Sequence, residues 1–121
     1  MNQGHRRWII PDGYLPVDSS GDYVSHESIC VLNIGESDAD ITITVYFEDQ
    51  DPITFKNISC QSKRTNHIRI DQLDDEVYGS VPRGVPYAIE LVSTVAVITQ
   101  HSRLDSSQSA LALFTTMAFP I

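Results

Sequence analysis

Ile41-Thr42-Ile43-Thr44-Val45-Tyr46-Phe47-Glu48 alternates with a period of two. Ile41, Ile43, Val45 and Phe47 fall on one side, and Thr42, Thr44, Tyr46 and Glu48 on the other. A half-buried strand requires this pattern of β-branched and aromatic residues, and a helix would scatter it around its axis. Asp49-Gln50-Asp51-Pro52 then supplies a turn, and Ile53-Thr54-Phe55 through Ile58 the return strand of a hairpin. Upstream, Ser28 to Ile34 is apolar on both faces, which suits a central strand, and the polar stretch Gly35 to Asp40 is the turn after it. Downstream, strands are expected at Thr65–Ile70, Tyr87–Val92, Val95–Ser102 and Leu111–Phe119. Ser93-Thr94 reads as a tight link that pairs two of them as an antiparallel hairpin. Asp71–Val77 carries four acids and reads as an exposed, short helical turn. Strands every 8–12 residues or so, with polar turns between them, predict an all-β antiparallel sandwich or barrel.

The composition agrees with one folded unit. The chain has 121 residues, 41% of them hydrophobic and 20% charged, so a single domain spanning 1–121 can bury a core. Eight Lys+Arg against sixteen Asp+Glu give a net charge of −8. That field repels phosphate backbones and anionic lipid, so nucleic acid is an unfavourable partner, although Arg6, Arg7, Lys63, Arg64 and Arg69 are candidates for one basic patch. No apolar run approaches the roughly 20 residues of a spanning helix, and none near the N-terminus reaches the length of a secretory leader. The expected location is therefore the cytoplasm, with no membrane insertion. The two cysteines, Cys30 and Cys60, lie in no C-x-x-C pair, and a cytoplasmic chain keeps them reduced. Cys30, inside Ile29-Cys30-Val31-Leu32, is expected in the core.

Polar residues within strands are the candidates for chemistry, because burying them costs free energy unless they meet partners or line a wet pocket. Alternation places His67 and Arg69 on one face of their strand. His101, Arg103 and Asp105 share one face of theirs, next to Gln100. His26 and Glu27 stand at the head of the central strand. Trp8 and Tyr14 flank Pro11-Asp12-Gly13, a turn signal, and a flat ring beside arginines and amides suits a sugar or metabolite. Three readings stay open: structural ion pairs, a pocket for a polar ligand, and a metal site of His26, Glu27, His67 and His101. The metal reading lacks any ligand-spacing motif. Trp8 has the further reading of a core anchor. Glu36, Asp38 and Asp40 lack the glycine and distal glutamate of a calcium loop. Neither a nucleophile elbow nor a phosphate loop is present.

Four segments carry a resemblance: Trp8-Ile9-Ile10-Pro11-Asp12-Gly13-Tyr14-Leu15-Pro16, Ser25-His26-Glu27-Ser28-Ile29-Cys30-Val31-Leu32-Asn33, Arg64-Thr65-Asn66-His67-Ile68-Arg69 and Gln100-His101-Ser102-Arg103-Leu104-Asp105-Ser106-Ser107-Gln108. In this order they resemble the sensory rhodopsin transducer family. The resemblance implies a jelly-roll β-sandwich that forms a homotetramer and a non-catalytic domain binding a small polar metabolite, sugars first. It raises the ligand-pocket reading above the structural one. The implied ligand residues are His26, Glu27, His67, Arg69, Gln100, His101, Arg103, Asp105 and Trp8, with no cofactor and no metal. One alternative is a signalling adaptor that binds a membrane photoreceptor or a transcriptional partner. A second is a metal-dependent enzyme acting on a sugar-like substrate. Strands apolar on both faces, Ser28–Ile34 and Leu111–Phe119, hold more apolar surface than one core covers, which points to a subunit interface.

Overall fold

A computed structural model describes residues 3–121. The described residues form ten strands, one short 3-10 turn and no α-helix. The strands are β1 (His5–Tyr14), β2 (His26–Asn33), β3 (Ala39–Phe47), β4 (Ile53–Cys60), β5 (Arg64–Arg69), β6 (Asp74–Asp75), β7 (Gly79–Ser80), β8 (Pro86–Asp105), β9 (Ala112–Met117) and β10 (Phe119–Pro120). All pairings are antiparallel. One layer runs β10-β1-β8-β3-β4, and the other runs β5-β2-β8-β9. β6 and β7 make a separate two-stranded ribbon.

β8 belongs to both layers. Its first half pairs with β1 and β3 from Tyr87 to Ser93, and its second half pairs with β2 and β9 from Ile98 to Asp105. The hairpin expected at Ser93-Thr94 is therefore wrong: the chain runs straight through as a single strand of 20 residues. The physical reason lies in the parity. Tyr87, Ile89, Leu91, Ser93, Val97, Thr99 and His101 are all buried, so the odd positions face inward on both sides of the supposed link. Neither Ser93 nor Thr94 favours the positive φ that a two-residue hairpin turn demands.

The core fills the space between the layers. Trp8 and Ile10 from β1, Ile41, Ile43 and Val45 from β3, and Ile89 and Leu91 from β8 meet Ile29 and Val31 from β2 and Ile68 from β5. The alternation of Ile41, Ile43 and Val45 is what puts all three inside, while Thr42 and Thr44 lie on the other face. Pro11-Asp12-Gly13 corrects a second expectation. It is a bulge inside β1, between the pairs Ile10↔Ile89 and Gly13↔Tyr87, and not a turn. Proline has no N–H to give the ladder, so the strand accommodates it by inserting an extra residue. The expected core position of Cys30 is also corrected. Cys60 is the buried one, at 2% exposure, and burial pushes its thiol pKa up. Cys30 is only half-buried, because it lies on the outer face of β2. Both are free thiols. In Asp71–Val77, the helical turn is confined to Ile70–Gln72, and Asp74–Asp75 is strand.

Candidate functional site

Glu27 is the centre of the interior polar cluster. It sits on the inward face of β2, ahead of Ile29 and Val31, and is fully buried. Its Oε1 accepts the Tyr87 hydroxyl at 2.5 Å. Its Oε2 accepts the Tyr14 backbone N–H at 2.9 Å and the Nε–H of Arg103. His101 Nε2 lies 3.1 Å from Oε1, but without the alignment of a hydrogen bond, so the ring acts as a close neighbour more than as a linear donor. Burial pushes the Glu27 carboxyl up. The contacts with His101, Tyr87, the Tyr14 N–H and Arg103 outweigh it and hold the pKa below 4.5. Burial, and then the neighbouring Glu27 charge, push the Tyr87 phenol far above its ordinary value, so it stays a neutral donor.

Each partner is placed by its strand. Register sets Glu27 opposite Arg103 and Ile29 opposite His101, so the three polar side chains share the inward face of one sheet. Tyr87 reaches across from the other layer. Its ring lies on the backbone of Gly13, where a Cβ would stand 2.2 Å from ring carbon Cε1. Only glycine permits that approach. Phe114 of β9 closes the cluster, edge-on to His101 and beneath the Arg103 guanidinium at 5.1 Å from the ring centroid.

The other candidates lie elsewhere. Direct pairing puts His67 opposite Cys30, Arg69 opposite Ser28, and Gln100 opposite Cys30 and Met117. His26 shares that parity, so His26, His67, Arg69 and Gln100 occupy the outer face of the sheet, back to back with Glu27 and His101. His26 Nδ1 is bonded to the Val24 carbonyl at 2.8 Å. Arg69 grips Asp71 with both Nε and Nη2. Asp105 ends β8 and accepts from both the hydroxyl and the N–H of Ser107, which hold its carboxyl below the ordinary range. Trp8 is a core residue: its Nε1 donates to the carbonyls of His5 and Val97, leaving no polar atom for a ligand. The four supposed metal ligands are split between two faces, which removes the metal-site reading. Among the described residues no group of three His, Cys, Asp or Glu converges on one point.

Tyr87, Gly13 and Phe114 are the site residues that strand alternation alone could not find. Tyr87 stands 60 positions from Glu27. Its inward parity with Ile89 and Leu91 was legible, but nothing in the sequence names its partner. Arg83 is another. It donates to the carbonyls of Pro16 and Ser25 and lies 3.6 Å from Asp71, tying the β1–β2 loop to the Arg69 pair. The candidate basic patch is largely neutralised, since Arg7 pairs with Glu90, Lys63 with Glu36 and Arg69 with Asp71.

A cavity of about 340 Å³ lies between β1, β9 and β10 and touches His101 and Phe114. Its other walls are mainly apolar, among them Ile10, Met117 and Phe119.

The comparisons fall in with this geometry. The crystal structure of Thermotoga maritima 1070 superposes with a TM-score of 0.89 at 38% identity, covering 100% of this chain and 97% of that one. The Anabaena sensory rhodopsin transducer superposes with a TM-score of 0.76 at 33% identity, covering 91% of this chain and 96% of that one. No curated protein matches. The sequence profile of the Anabaena sensory rhodopsin transducer family matches residues 3–120, nearly the whole chain, and the protein therefore belongs to that family.

Proposed function

We propose that the protein is a non-catalytic signalling adaptor that relays the state of a membrane receptor, a sensory rhodopsin in the first instance, through protein contacts in the cytoplasm. The observation that carries this reading is the closure of the Glu27 cluster. Its carboxylate oxygens are already taken by Tyr87, Tyr14 and Arg103, and it has no exposed surface. A sugar site needs unsatisfied donors and acceptors facing an open pocket. Both Glu27 oxygens are engaged by donors of the chain itself, which suits architecture, although His101 Nε2 and Arg103 Nη2 are buried beside them without a hydrogen-bond partner. The surface, by contrast, offers material for association: Leu113, Met117 and Phe119 near the C-terminus are all more than half exposed. A homotetramer assembled through that apolar face is the arrangement we favour for it.

The test is titration of a detergent-solubilised sensory rhodopsin with the chain, followed by calorimetry, beside a thermal-shift screen of sugars, sugar acids and polyols. The adaptor reading expects saturable binding to the receptor and no stabilisation by the small molecules. Sugar-dependent stabilisation without receptor binding would overturn it. Light scattering at micromolar concentration tests the assembly, and a monomer would refute the tetramer.

A second reading has one observation in its favour. The cavity beside His101 is large enough for a small molecule, and His101 is almost completely buried at its wall. Its mainly apolar lining suits a largely apolar ligand better than a sugar, and a hit of that kind in the same screen would support this reading.

A further inference from the structure

One surface remains unused by the cluster and by the apolar C-terminal face. β4 pairs with β3 along one edge and, among the described residues, with no strand along the other. Across from that free edge stands the β6–β7 ribbon, and the two enclose an open groove of about 770 Å³. Phe55, Ile58 and Leu73 supply apolar surface to it. Asp51, Asp74, Asp75 and Glu76 line it with carboxylates against one cation, Lys56. Tyr78 stands beside it, 72% exposed.

A free strand edge is a template for another strand, and proteins that do not use such an edge block it. Here the blocking is partial. Asn66 Nδ2 caps the Ser59 carbonyl at 2.8 Å, and the Asn57 bulge, at φ 62°, bends the strand after Lys56. The stretch from Ile53 to Lys56 stays open. The charge then selects the guest. A second copy of this chain, at −8, is repelled by the four carboxylates. A divalent cation finds no converging ligand set among the described residues. An extended segment rich in Lys or Arg meets opposite charge along the wall, a pairing edge on β4, and the Tyr78 ring for cation–π contact.

We infer that the groove between β4 and the β6–β7 ribbon is the docking site for a basic, extended peptide segment that adds a short strand to the β4 edge. The identification of that segment as part of the receptor rests on the adaptor reading. It fits the chemistry of membrane receptors, whose cytoplasmic loops carry an excess of Lys and Arg.

The test uses the full chain and a fluorescein-labelled peptide of about eight residues in which Lys alternates with Val and Tyr, a length that spans the open edge with flanks to spare. Fluorescence anisotropy should show saturable binding that weakens as salt rises. The same peptide with Glu for Lys should not bind, and one with proline at its centre should bind about tenfold more weakly, because proline removes a ladder donor. The triple variant Asp51→Asn, Asp74→Asn, Glu76→Gln changes only exposed side chains and should weaken the Lys peptide about tenfold. Equal binding of the Lys and proline peptides, equal binding by the triple variant, or no binding at all would overturn the proposal. If the triple variant misfolds, the proline and Glu peptides on the unaltered chain still decide. Titrating the solubilised rhodopsin with both chains separates the two readings. A receptor that binds both equally well sinks the groove and leaves the adaptor. Lys-peptide binding confined to the unaltered chain, with no receptor binding, sinks the adaptor and leaves the groove.

Discussion

The inner and outer faces of the β5-β2-β8-β9 layer draw on the same short motifs and put them to opposite uses. Glu27, His101 and Arg103 point inward, where Glu27 accepts from Arg103 and Tyr87 and His101 packs beside it. His26, His67 and Gln100 occupy alternate positions on the same strands and point outward. A shift of one residue along a strand moves a side chain from one environment to the other. Residue type therefore says little about role here. An arginine on the inside is a counter-charge for a buried carboxylate. The arginine on the outside, Arg69, grips a local aspartate, and His67 beside it remains exposed.

The largest expected effect tests whether the inner face is architectural. Glu27→Ala removes the acceptor shared by Tyr87, Tyr14 and Arg103 and leaves the partly buried Arg103 guanidinium unpaired. The loss should be about 3–5 kcal/mol in urea unfolding. A loss near zero would mean that water or a ligand normally enters the cluster. Gly13→Ala comes next. Its new Cβ cannot coexist with the Tyr87 ring as placed, so the ring must shift and weaken its bond to Glu27. An overpacking loss of about 1–3 kcal/mol is expected in the same measurement. If Tyr87→Phe is already present, part of that loss should vanish, since the two changes act on one contact.

A smaller effect should appear with acid. The folded-state pKa of Glu27 lies below 4.5, so its contribution to stability is complete above that value and is lost as pH falls through the folded pKa. Glu27→Gln should therefore be less stable than the unaltered chain near pH 7, and the gap should narrow as pH falls through the lowered folded-state pKa, as chemical unfolding at each pH would show. A gap independent of pH would mean that the carboxylate charge contributes nothing. The smallest effect belongs to the outer face. His67→Ala should change stability by no more than about 0.5 kcal/mol. A larger change would mean that this face is covered, for example by another subunit.

Much of the fold was legible because alternation is a local signal. Ile41 to Phe47 declared its buried side, and Ser28 to Ile34 its central position between β5 and β8. The same signal grouped His67 with Arg69 and His101 with Arg103 correctly. It was silent on which face of the sheet each group would occupy, because that depends on register between strands far apart in sequence. Two errors came from trusting short-range turn signals over longer patterns. Ser93-Thr94 reads as a link, although the inward odd-numbered series continues across it with Val95 partly buried and Val97 fully so. Pro11-Asp12-Gly13 was read as a turn, whereas the proline is absorbed by a bulge and the glycine makes room for Tyr87. Trp8 carries two readings in the sequence, ligand ring and core anchor, and its burial with Nε1 bonded to the carbonyls of His5 and Val97 decides for the anchor.

The sharing of β8 between the layers has a consequence for how the chain reaches this state. β1 pairs with β8 through contacts such as Trp8↔Leu91 and Ile10↔Ile89, while β2 pairs with its other half through Ile29↔His101. Neither layer can be completed until the last third of the polypeptide exists and returns to the first. Such a search pays for closure of long loops before it gains the β8 contacts, and chains dominated by distant pairings fold on the scale of about milliseconds to seconds. A ribosome releasing this protein would hold β1 unpaired, and the β2–β5 and β3–β4 pairs with open edges, until β8 emerges to join them into two layers.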